Sequence, residues 1–326
     1  MLIDRFDRRI NYLRISLTDR CNLRCIYCMP VEGEKKLMHR EILRYEELLR
    51  IVRIAIKLGI DKIRLTGGEP FVRKGFKEFL PMLTALDGIN DVSITTNGVL
   101  LSEYLDVLRT SGVKRLNISI DSLNRATFRE ITRFDYFDHV SRGIEKARDM
   151  GFYPIKLNMV VMKGINDGEI LDFGRLAIEQ PYHIRFIEYM PIGLDSKNPD
   201  FISNSGIKNT LVNNLGPMSP VLQGRYDGPA KRFKFHGGKG EIGFISAISS
   251  SFCSDCNRLR LTADGKILPC LLSNIETDIR EPLRRGCLDE ELIKIFQDAV
   301  HLKPKSHPMN LEGHQRVHRK MCSIGG

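Results

Sequence analysis

YLRISLTDRCNLRCIYC, residues 12–28, joins a short strand-like run of alternating apolar and polar residues to a loop that carries three cysteines. Three residues separate Cys21 from Cys25, and two separate Cys25 from Cys28. A structural zinc site needs four ligands, and no neighbouring His or Cys supplies the fourth. Three thiolates would instead bind three irons of a cubane cluster and leave the fourth iron open to a small molecule. The loop therefore predicts a catalytic iron–sulfur site.

The strand in this stretch is the first of six strand-like runs, which alternate with amphipathic helix-like runs up to about residue 190. The six runs are YLRISL, KIRLTG, DVSITT, RLNISID, IKLNMVV and HIRFIEYM. Strands that alternate with helices form a parallel sheet, so the sequence predicts an α/β fold. The cysteine loop then lies at the carboxyl rim of the sheet, where barrels of this kind hold their chemistry.

The predicted strands have one apolar and one polar face. In the first strand, Leu13 and Ile15 oppose Arg14 and Ser16. The apolar face meets the helices, and the polar face must be wet or hold a ligand, because unpaired buried charges are costly. Six repeats are too few to close an eight-stranded barrel. We therefore predict an incomplete (β/α)6 TIM-like barrel with a wide interior.

Three cations, Arg14, Arg64 and Lys156, fall on the polar face and make a multiply charged anion the expected guest. The alternative is that these side chains sit at strand ends and reach solvent. The 326 residues include 50 Lys plus Arg against 40 Asp plus Glu, and the net charge of +10 also suggests an anionic partner. A solvated surface would equally explain part of this charge, notably in residues 301–320.

The cellular compartment is predicted from the lack of a signal sequence and of a long apolar segment. The amino terminus, MLIDRFDRRI, is charged from its fourth residue and has no apolar signal region, and no run of about 18 apolar residues occurs. We therefore expect a cytoplasmic protein with no membrane partner. In a reducing compartment, clustered cysteines are more often metal ligands or catalytic thiols than disulfides, which applies to the eight cysteines here.

A second, smaller domain is expected after the repeats stop. Residues 201–220, FISNSGIKNTLVNNLGPMSP, are rich in Asn, Gly, Pro and Ser and indicate a linker. We accordingly divide the chain into a barrel domain, residues 1–215, and an α+β domain, residues 216–326, which ends in a Gly-Gly tail.

The second domain contains another cysteine triplet in CSDCNRLRLTADGKILPC, residues 253–270, with Cys253, Cys256 and Cys270. Asp264-Gly265 is a hairpin turn signal, so the returning strand carries Cys270 back towards Cys256 and makes one compact site feasible.

Two arginines accompany this triplet. Arg258 and Arg260 are two residues apart on a strand and therefore share a face beside the site. The planar guanidinium of arginine suits a phosphate or the edge of a base.

The first triplet resembles the radical S-adenosylmethionine superfamily. Two further signals agree: Thr66-Gly67-Gly68-Glu69-Pro70 after the second strand, and Asn117-x-Ser119-x-Asp121 in the fourth. Glycines without a Cβ allow the backbone to approach a ligand closely. The resemblance implies that the amino and carboxylate groups of S-adenosylmethionine occupy the open iron, which accounts for the missing fourth ligand.

The second triplet narrows the resemblance. C-x2-C-x13-C with internal Asn-Arg-Leu-Arg, together with a terminal Gly-Gly, is similar to the GTP 3′,8-cyclase family of molybdenum cofactor biosynthesis, from Arg14 to Gly326. This resemblance implies two [4Fe-4S] clusters, the second of which binds guanine through its open iron. It also implies that the basic interior holds the triphosphate and that the tail enters the pocket.

The site residues implied by the resemblance fall into four groups. The cluster ligands are Cys21, Cys25 and Cys28, and Cys253, Cys256 and Cys270; the S-adenosylmethionine contacts are Tyr27, Gly68, Ser119 and Met190; the GTP contacts are Arg14, Arg64, Thr95, Lys156, Arg258 and Arg260; and the catalytic residues are Arg258, Arg260, Gly325 and Gly326. Cys287 and Cys322 match no ligand position and are expected to be ordinary free thiols.

The implied reaction begins with reductive cleavage of S-adenosylmethionine to a 5′-deoxyadenosyl radical, which removes hydrogen from C3′ of GTP. The C3′ radical then attacks C8 of guanine and gives (8S)-3′,8-cyclo-7,8-dihydroguanosine 5′-triphosphate, the first step of molybdenum cofactor biosynthesis. The implied partners are GTP, an electron donor, the downstream cyclic pyranopterin monophosphate synthase and a second copy of the chain in a homodimer. No nucleic-acid partner is expected.

Two other functions remain open at this stage. One is another two-cluster radical enzyme that modifies a peptide or an RNA, for which the basic charge would be a binding stripe and binding would weaken steeply with salt. The other is an electron carrier with two clusters. Carriers normally have fully ligated clusters and need no interior that binds a nucleotide.

Overall fold

The computed structural model describes residues 1–190, 192, 201–224, 227–307 and 317–325. The strands are β1 (Leu2–Ile3), β2 (Arg9–Ile10), β3 (Tyr12–Ser16), β4 (Lys62–Thr66), β5 (Asp91–Thr96), β6 (Arg115–Ser119), β7 (Ile155–Val161), β8 (Tyr182–Glu188), β9 (Met218–Pro220), β10 (Lys231–Phe235), β11 (Glu241–Ile245), β12 (Arg258–Leu261), β13 (Lys266–Leu268) and β14 (Thr277–Asp278). The α-helices are α1 (Tyr45–Lys57), α2 (Phe76–Thr84), α3 (Leu101–Thr110), α4 (Arg125–Thr132), α5 (Phe137–Asp149), α6 (Ile170–Glu179), α7 (Asn204–Leu215), α8 (Arg280–Arg284), α9 (Asp289–His301) and α10 (Met321–Ile324).

The six predicted strands are β3 to β8, and they lie side by side in chain order. Each is parallel to the next, and the register places Arg14 beside Arg64 and Asn117 beside Lys156. Because parallel neighbours need a crossover, a helix follows each of the first five strands. The predicted α/β fold with a mostly parallel sheet is therefore confirmed.

The carboxyl-terminal part of the chain continues this sheet at both edges. β12 pairs with β3 and β11 pairs with β8, both in parallel. Beyond them, β13 and β14 on one side and β10 and β9 on the other are antiparallel. The twelve strands therefore form one sheet with eight parallel strands at its centre.

Residues 204–215, which the sequence analysis assigned to a linker, form helix α7, so that interpretation is wrong. The Ser203 side chain accepts a hydrogen bond from the Gly206 amide and caps the helix. Ile207 and Leu211, one turn apart, are fully buried. The Asn-rich composition hid a short apolar stripe and an N-cap, which together are enough to form a helix on an existing core.

The apolar faces of the helices cover the outside of the sheet. In α1, Leu48, Ile51, Val52 and Ala55 have the spacing of one helical face and are buried. Glu46 and Glu47 in its first turn and Lys57 in its last turn complement the helix dipole. None of the described helices has both the length and the apolar character needed to cross a membrane.

The Gly67-Gly68 turn after β4 holds the chain segment that precedes the first cysteine. The Gly68 amide donates a hydrogen bond to the Thr18 carbonyl at 2.6 Å, and the Glu69 amide donates to the Arg20 carbonyl at 2.8 Å. A Cβ on Gly68 would lie 2.2 Å from the Arg20 carbonyl oxygen. Glycine is therefore required here because two backbone segments are in direct contact.

The Glu69 carboxylate supports this turn from inside the protein. It accepts hydrogen bonds from the Phe71 amide, the Thr96 hydroxyl and the Asn97 amide, and it has no solvent exposure. Burial raises the pKa of Glu69 to about 7, although these hydrogen bonds act in the opposite direction.

We predict that Gly68→Ala destabilises the iron-free protein by roughly 1–3 kcal/mol, because the added methyl group forces the turn away from Arg20. Gly168→Ala is the matched control, since a Cβ there meets no atom within 4 Å. Urea denaturation of both variants measures the difference. Equal stability of the two variants would contradict the close contact.

Candidate active site

A cavity of about 240 Å³ lies against the polar face of the sheet. Each of the six central strands lines it: Tyr12 and Arg14 from β3, Arg64 from β4, Thr95 from β5, Ser119 from β6, Asn158 and Val160 from β7, and Arg185 and Ile187 from β8. The flanking strands β11 and β12 add Ile245, Arg258 and Arg260. Because strands across the full width of the parallel sheet face one space, the sheet curves around the cavity.

Most of the predicted site residues line this cavity, namely Arg14, Tyr27, Arg64, Thr95, Ser119, Met190, Cys253, Cys256, Arg258, Arg260 and Cys270. Those that do not line it are Gly68, Lys156, Gly325, Cys21, Cys25 and Cys28. Gly326 lies outside the described residues. Thr95 lines the cavity, whereas its neighbour Thr96 points away from the cavity and donates to Glu69 at 2.8 Å.

Polar hydrogens are directed at the sulfur of the first cysteine. The Leu23 amide donates to Cys21 Sγ at 3.4 Å, and Asn97 Nδ2 donates at 3.6 Å. Such donors stabilise a thiolate. Burial and the nearby Glu69 nevertheless raise the pKa of the Cys21 thiol to about 11, so a positive partner is needed to ionise it.

Arginine side chains hold the backbone of the first triplet. Arg24 Nη1 donates to the Cys21 carbonyl at 2.9 Å, and Arg133 Nη1 donates to the carbonyls of Arg24 at 2.7 Å and Met29 at 2.8 Å. These bonds fix the loop at both ends of the triplet.

Tyr27, between the second and third cysteines, connects the triplet to the cavity. Its hydroxyl donates to Asp121 Oδ2 at 2.7 Å, and the Val160 amide donates to Asp121 Oδ1 at 2.8 Å. Burial raises the pKa of Asp121 to about 6, against the effect of these hydrogen bonds. The Asp of the Asn-x-Ser-x-Asp motif thus orients the Tyr27 ring over the cavity.

The second triplet is built on the predicted hairpin. Gly265 adopts a left-handed φ of +78° in the turn, and Arg260 pairs with Leu268, which places Cys270 opposite Arg258. The Leu272 amide donates to Cys270 Sγ at 3.4 Å. The expected return of Cys270 towards Cys256 is therefore confirmed.

The second triplet has cations beside it, whereas the first has the Glu69 carboxylate nearby. Burial raises the pKa of Cys256, but the positive charges of Arg258 and Lys303 outweigh it and bring the pKa to about 6. Cys256 is therefore largely a thiolate at neutral pH, which is the form that binds iron.

The two triplets lie at opposite ends of the central strands. The first follows the carboxyl end of β3. The second precedes β12, whose first residue, Arg258, pairs with Tyr12 at the amino end of β3. Among the described residues, no three His, Cys, Asp or Glu side chains converge tightly enough to bind a single metal ion. A cubane cluster makes a different demand, since each thiolate binds a different iron.

Arg185, which was not among the predicted site residues, lines the cavity from β8 and is 4% exposed. Its Nη1 donates to Asn117 Oδ1 at 3.4 Å. The signal was present, because Arg185 stands between Ile184 and Phe186 in HIRFIEYM and so falls on the polar face. Burial and the charge of Arg64 lower the pKa of Arg185 to about 9.

Lys156 lies beside this group, nearer the amino end of β7 than Asn158. Lys156 is 3% exposed, and its Nζ lies 4.0 Å from Asp227 Oδ1. Burial, followed by the charges of Arg185 and Arg64, lowers the pKa of Lys156 to about 6. An anion bound beside Lys156 would act in the opposite direction and raise its pKa.

The carboxyl-terminal tail reaches the same group of cations. The Gly325 carbonyl accepts hydrogen bonds from Arg14 Nη2 at 3.1 Å and Arg260 Nη1 at 3.2 Å. Gly325 has φ +76°, and a Cβ there would lie 3.0 Å from Thr66 Cγ2. Ile324 and Met321 bury their side chains in a small apolar cluster against Met190.

Cys322 in this tail is a buried free thiol, as expected, and it lies beside Cys28 of the first triplet. Cys287 is buried in the main core. Of the basic stretch before the tail, Arg316 lies outside the described residues, whereas Arg319 pairs with Asp264 and Glu276, and Lys320 pairs with Glu34.

Comparison with protein families gives two matches. Residues 15–177 match the model of the Radical SAM superfamily, and residues 182–309 match the model described as Molybdenum Cofactor Synthesis C.

Curated relatives match over their full length. The chain is 49% identical over 325 residues to a GTP 3′,8-cyclase of Thermodesulfovibrio yellowstonii, covering 99% of both chains. It is 48% identical over 329 residues to a GTP 3′,8-cyclase of Desulforamulus reducens, covering 100% of both.

The fold resembles solved structures at low sequence identity. Streptococcus suis SuiB bound to S-adenosylmethionine superposes with a TM-score of 0.62 and 16% identity, over 89% of this chain and 66% of that chain. SuiB bound to its precursor peptide SuiA gives a TM-score of 0.63 over 67% of that chain. These likenesses concern the fold alone.

Proposed function

The chain belongs to the GTP 3′,8-cyclase family of the radical S-adenosylmethionine superfamily, and from this premise we propose which residues carry the reaction. It is an enzyme that converts GTP into (8S)-3′,8-cyclo-7,8-dihydroguanosine 5′-triphosphate, the first step of molybdenum cofactor biosynthesis. The full-length relationship carries this assignment. The cationic cavity beside two cysteine triplets supports it.

An iron–sulfur cluster and S-adenosylmethionine are the cofactors of this superfamily. We assign the cluster to Cys21, Cys25 and Cys28, since amide hydrogens already point at Cys21 Sγ. We assign a second [4Fe-4S] cluster to Cys253, Cys256 and Cys270, where the charges of Arg258 and Lys303 lower the pKa of Cys256 and the Leu272 amide donates to Cys270 Sγ. When bound, the first cluster and S-adenosylmethionine supply the radical that removes hydrogen from C3′ of GTP.

Four residues are assigned to S-adenosylmethionine. The Tyr27 ring and the Ser119 hydroxyl face the cavity next to the first triplet. The backbone of Gly68 lies against the triplet's loop, and the Met190 side chain packs against the tail at the cavity wall. Together they would hold the adenosyl group in place, and apolar neighbours such as Ile187 and Val160 would exclude water and competing hydrogen donors.

The triphosphate is assigned to the cations of the curved sheet, namely Arg14, Arg64 and Lys156, with Arg185 added. Arg14, Lys156 and Arg185 are buried and Arg64 is half-buried, and the repulsion between cations placed this close would be offset by a bound anion. Thr95 Oγ1 is buried with no hydrogen-bond partner among the described residues, so it has a donor to offer a phosphate.

The guanine is assigned to the cavity end near the second triplet, where Arg258 and Arg260 share one face of β12. Arg260 and the Gly325-Gly326 tail are assigned to the reacting part of GTP, because Arg260 already donates to the Gly325 carbonyl. Substrate fixed at the triphosphate and at the base would hold C3′ and C8 near each other.

The architecture and partners complete the proposal. We propose that β3 to β8 are the strands of an incomplete (β/α)6 barrel, formed by residues 1–215. Residues 216–326, whose strands extend the same sheet, are proposed to carry the second cluster. An electron donor, the downstream cyclic pyranopterin monophosphate synthase and a homodimer partner are inferred from the family relationship.

Anaerobic assay of the reconstituted protein with GTP and S-adenosylmethionine tests the reaction, and two variants test the cluster assignment. Cys25→Ser should abolish S-adenosylmethionine cleavage. Cys256→Ser should leave the first cluster intact and lose GTP cyclisation. Each variant should contain about half the wild-type iron. Wild-type iron in both variants would exclude two separate clusters.

Lys156 should couple GTP binding to proton uptake. With its pKa lowered to about 6, the side chain is mostly neutral at pH 8, and a neighbouring triphosphate favours the ammonium form. We expect uptake of up to about one proton per GTP at pH 8, lost in Lys156→Met. Calorimetry in HEPES and Tris, whose ionisation enthalpies differ, measures it.

The exposed Lys239 provides the control for this measurement, and Lys239→Met should keep the wild-type uptake. Equal uptake by Lys156→Met and wild type would assign the proton, and the triphosphate, to other groups.

Removal of Gly325 and Gly326 should preserve both clusters and some uncoupled S-adenosylmethionine cleavage, because the tail contacts Arg14 and Arg260 and holds no predicted iron ligand. Cyclised product should fall at least about tenfold, equivalent to about 1.4 kcal/mol in the barrier. Product and 5′-deoxyadenosine are quantified in the same reaction. Product formation at the full-length rate would show that the tail is dispensable.

A further inference from the structure

The backbone carbonyls around the second cysteine triplet accept hydrogen bonds from two buried cations that lie elsewhere in the chain. Lys303 Nζ donates to the carbonyl of Pro269 at 2.6 Å and to the carbonyl of Arg258 at 2.8 Å. Arg8 Nη1 donates to the carbonyl of Cys253 at 2.6 Å. Pro269 directly precedes Cys270, and Arg258 follows Cys256 by two residues. Each of the three cysteines therefore has a backbone carbonyl, its own or that of a residue one or two positions away, that is held by Lys303 or Arg8.

Lys303 is not part of a solvated surface, although the sequence analysis allowed that for residues 301–320. It is 2% exposed and follows α9, with its ammonium group between the carbonyls of Arg258 and Pro269, which lie close in sequence to Cys256 and Cys270. Lysine is rarely buried to this extent unless its charge is compensated. Two backbone carbonyls give it hydrogen bonds but no negative charge, and the thiol groups of Cys256 and Cys270 lie beside it.

Arg8 is fixed as firmly as Lys303. It is 7% exposed, and its Nε donates to Asp4 Oδ2 at 2.6 Å. Two further guanidinium hydrogens go to the carbonyls of Pro304 at 2.6 Å and Lys305 at 3.1 Å. Arg8 thus ties the amino-terminal β1–β2 hairpin both to Cys253 and to the segment that directly follows Lys303.

We propose that Asp4, Arg8 and Lys303 form a clamp that positions the second cysteine triplet for its cluster. The inference rests on the proposed second cluster. Three thiolates around iron concentrate negative charge in a buried place, and a buried cation next to them offsets the cost of that charge. The bonds to the carbonyls also fix the backbone on either side of the long gap between Cys256 and Cys270. Arg8 and Lys303 are positioning residues, since they act through the cysteines.

The test uses a protein in which only the second site can bind iron, Cys21→Ser/Cys25→Ser/Cys28→Ser. Into this background we introduce Lys303→Met, which keeps the length of the side chain and removes its charge, or Arg8→Met. After anaerobic reconstitution, iron per chain and the rate of iron release to a chelator are measured. We expect at least about threefold less iron and at least about tenfold faster release in both variants.

Arg133→Met is the matched control. Arg133 also donates two hydrogen bonds to backbone carbonyls, but those carbonyls lie around the first triplet. In the second-site background it should leave iron content and release unchanged. In the reciprocal background, Cys253→Ser/Cys256→Ser/Cys270→Ser, Lys303→Met should leave the iron of the first site unchanged. The electron paramagnetic resonance signal of the reduced cluster in each background provides a spectroscopic readout.

Folding is checked by thermal melting of the iron-free variants. Asp4→Asn provides a milder perturbation, because it leaves both cations in place and removes the carboxylate that orients Arg8. Faster iron release from Asp4→Asn, with an unchanged melting temperature without iron, supports the clamp. An unchanged release rate in all three variants overturns it. Absence of iron from the second-site background with Lys303 intact overturns the second cluster itself.

Discussion

The structure is arranged around a group of neighbouring cations, most of them buried, on the inner face of a curved sheet. Arg14 and Arg64 lie beside each other on neighbouring strands, and Lys156 and Arg185 continue the group on the strands beyond. Burial and mutual repulsion lower the pKa of Lys156 to about 6 and that of Arg185 to about 9. A bound polyanion would offset the repulsion between these neighbouring cations, which otherwise costs stability. The apolar core between the helices and the outer face of the sheet stabilises the fold and offsets the unfavourable charge repulsion on the inner face.

Much of this arrangement could be predicted from the sequence. Strands of a parallel sheet are normally apolar on both faces, so a polar face on each predicted strand indicated an interior that holds water or a ligand. Alternation within each run placed Arg14 and Arg64 on the inner face, and the Asp264-Gly265 turn placed Cys270 near Cys256. Thr95 was implied only by the family resemblance. Arg185 could have been found in the same way, from its position in HIRFIEYM.

Other features could not be read from local sequence. The pairing of β12 with β3 and of β11 with β8 joins segments that are distant in the chain, and no local pattern specifies such a partner. Lys303 stands in a basic stretch of sequence that is typical of a solvated surface. Tertiary packing buries it, and its ammonium group donates to two backbone carbonyls. α7 was missed because its Asn-rich composition outweighed an N-cap and a narrow apolar stripe.

The parallel pairing of β12 with β3 also sets an order of events during synthesis. β3 begins at residue 12 and its edge partner at residue 258, so the first strand of the sheet leaves the ribosome long before that partner exists. At about 5–20 residues per second, the delay is on the order of 10–50 seconds. During this time one edge of a nascent parallel sheet has no strand to pair with, and exposed edges of this kind are prone to intermolecular association. The carboxyl-terminal segment therefore seals the edge as well as completing the cavity.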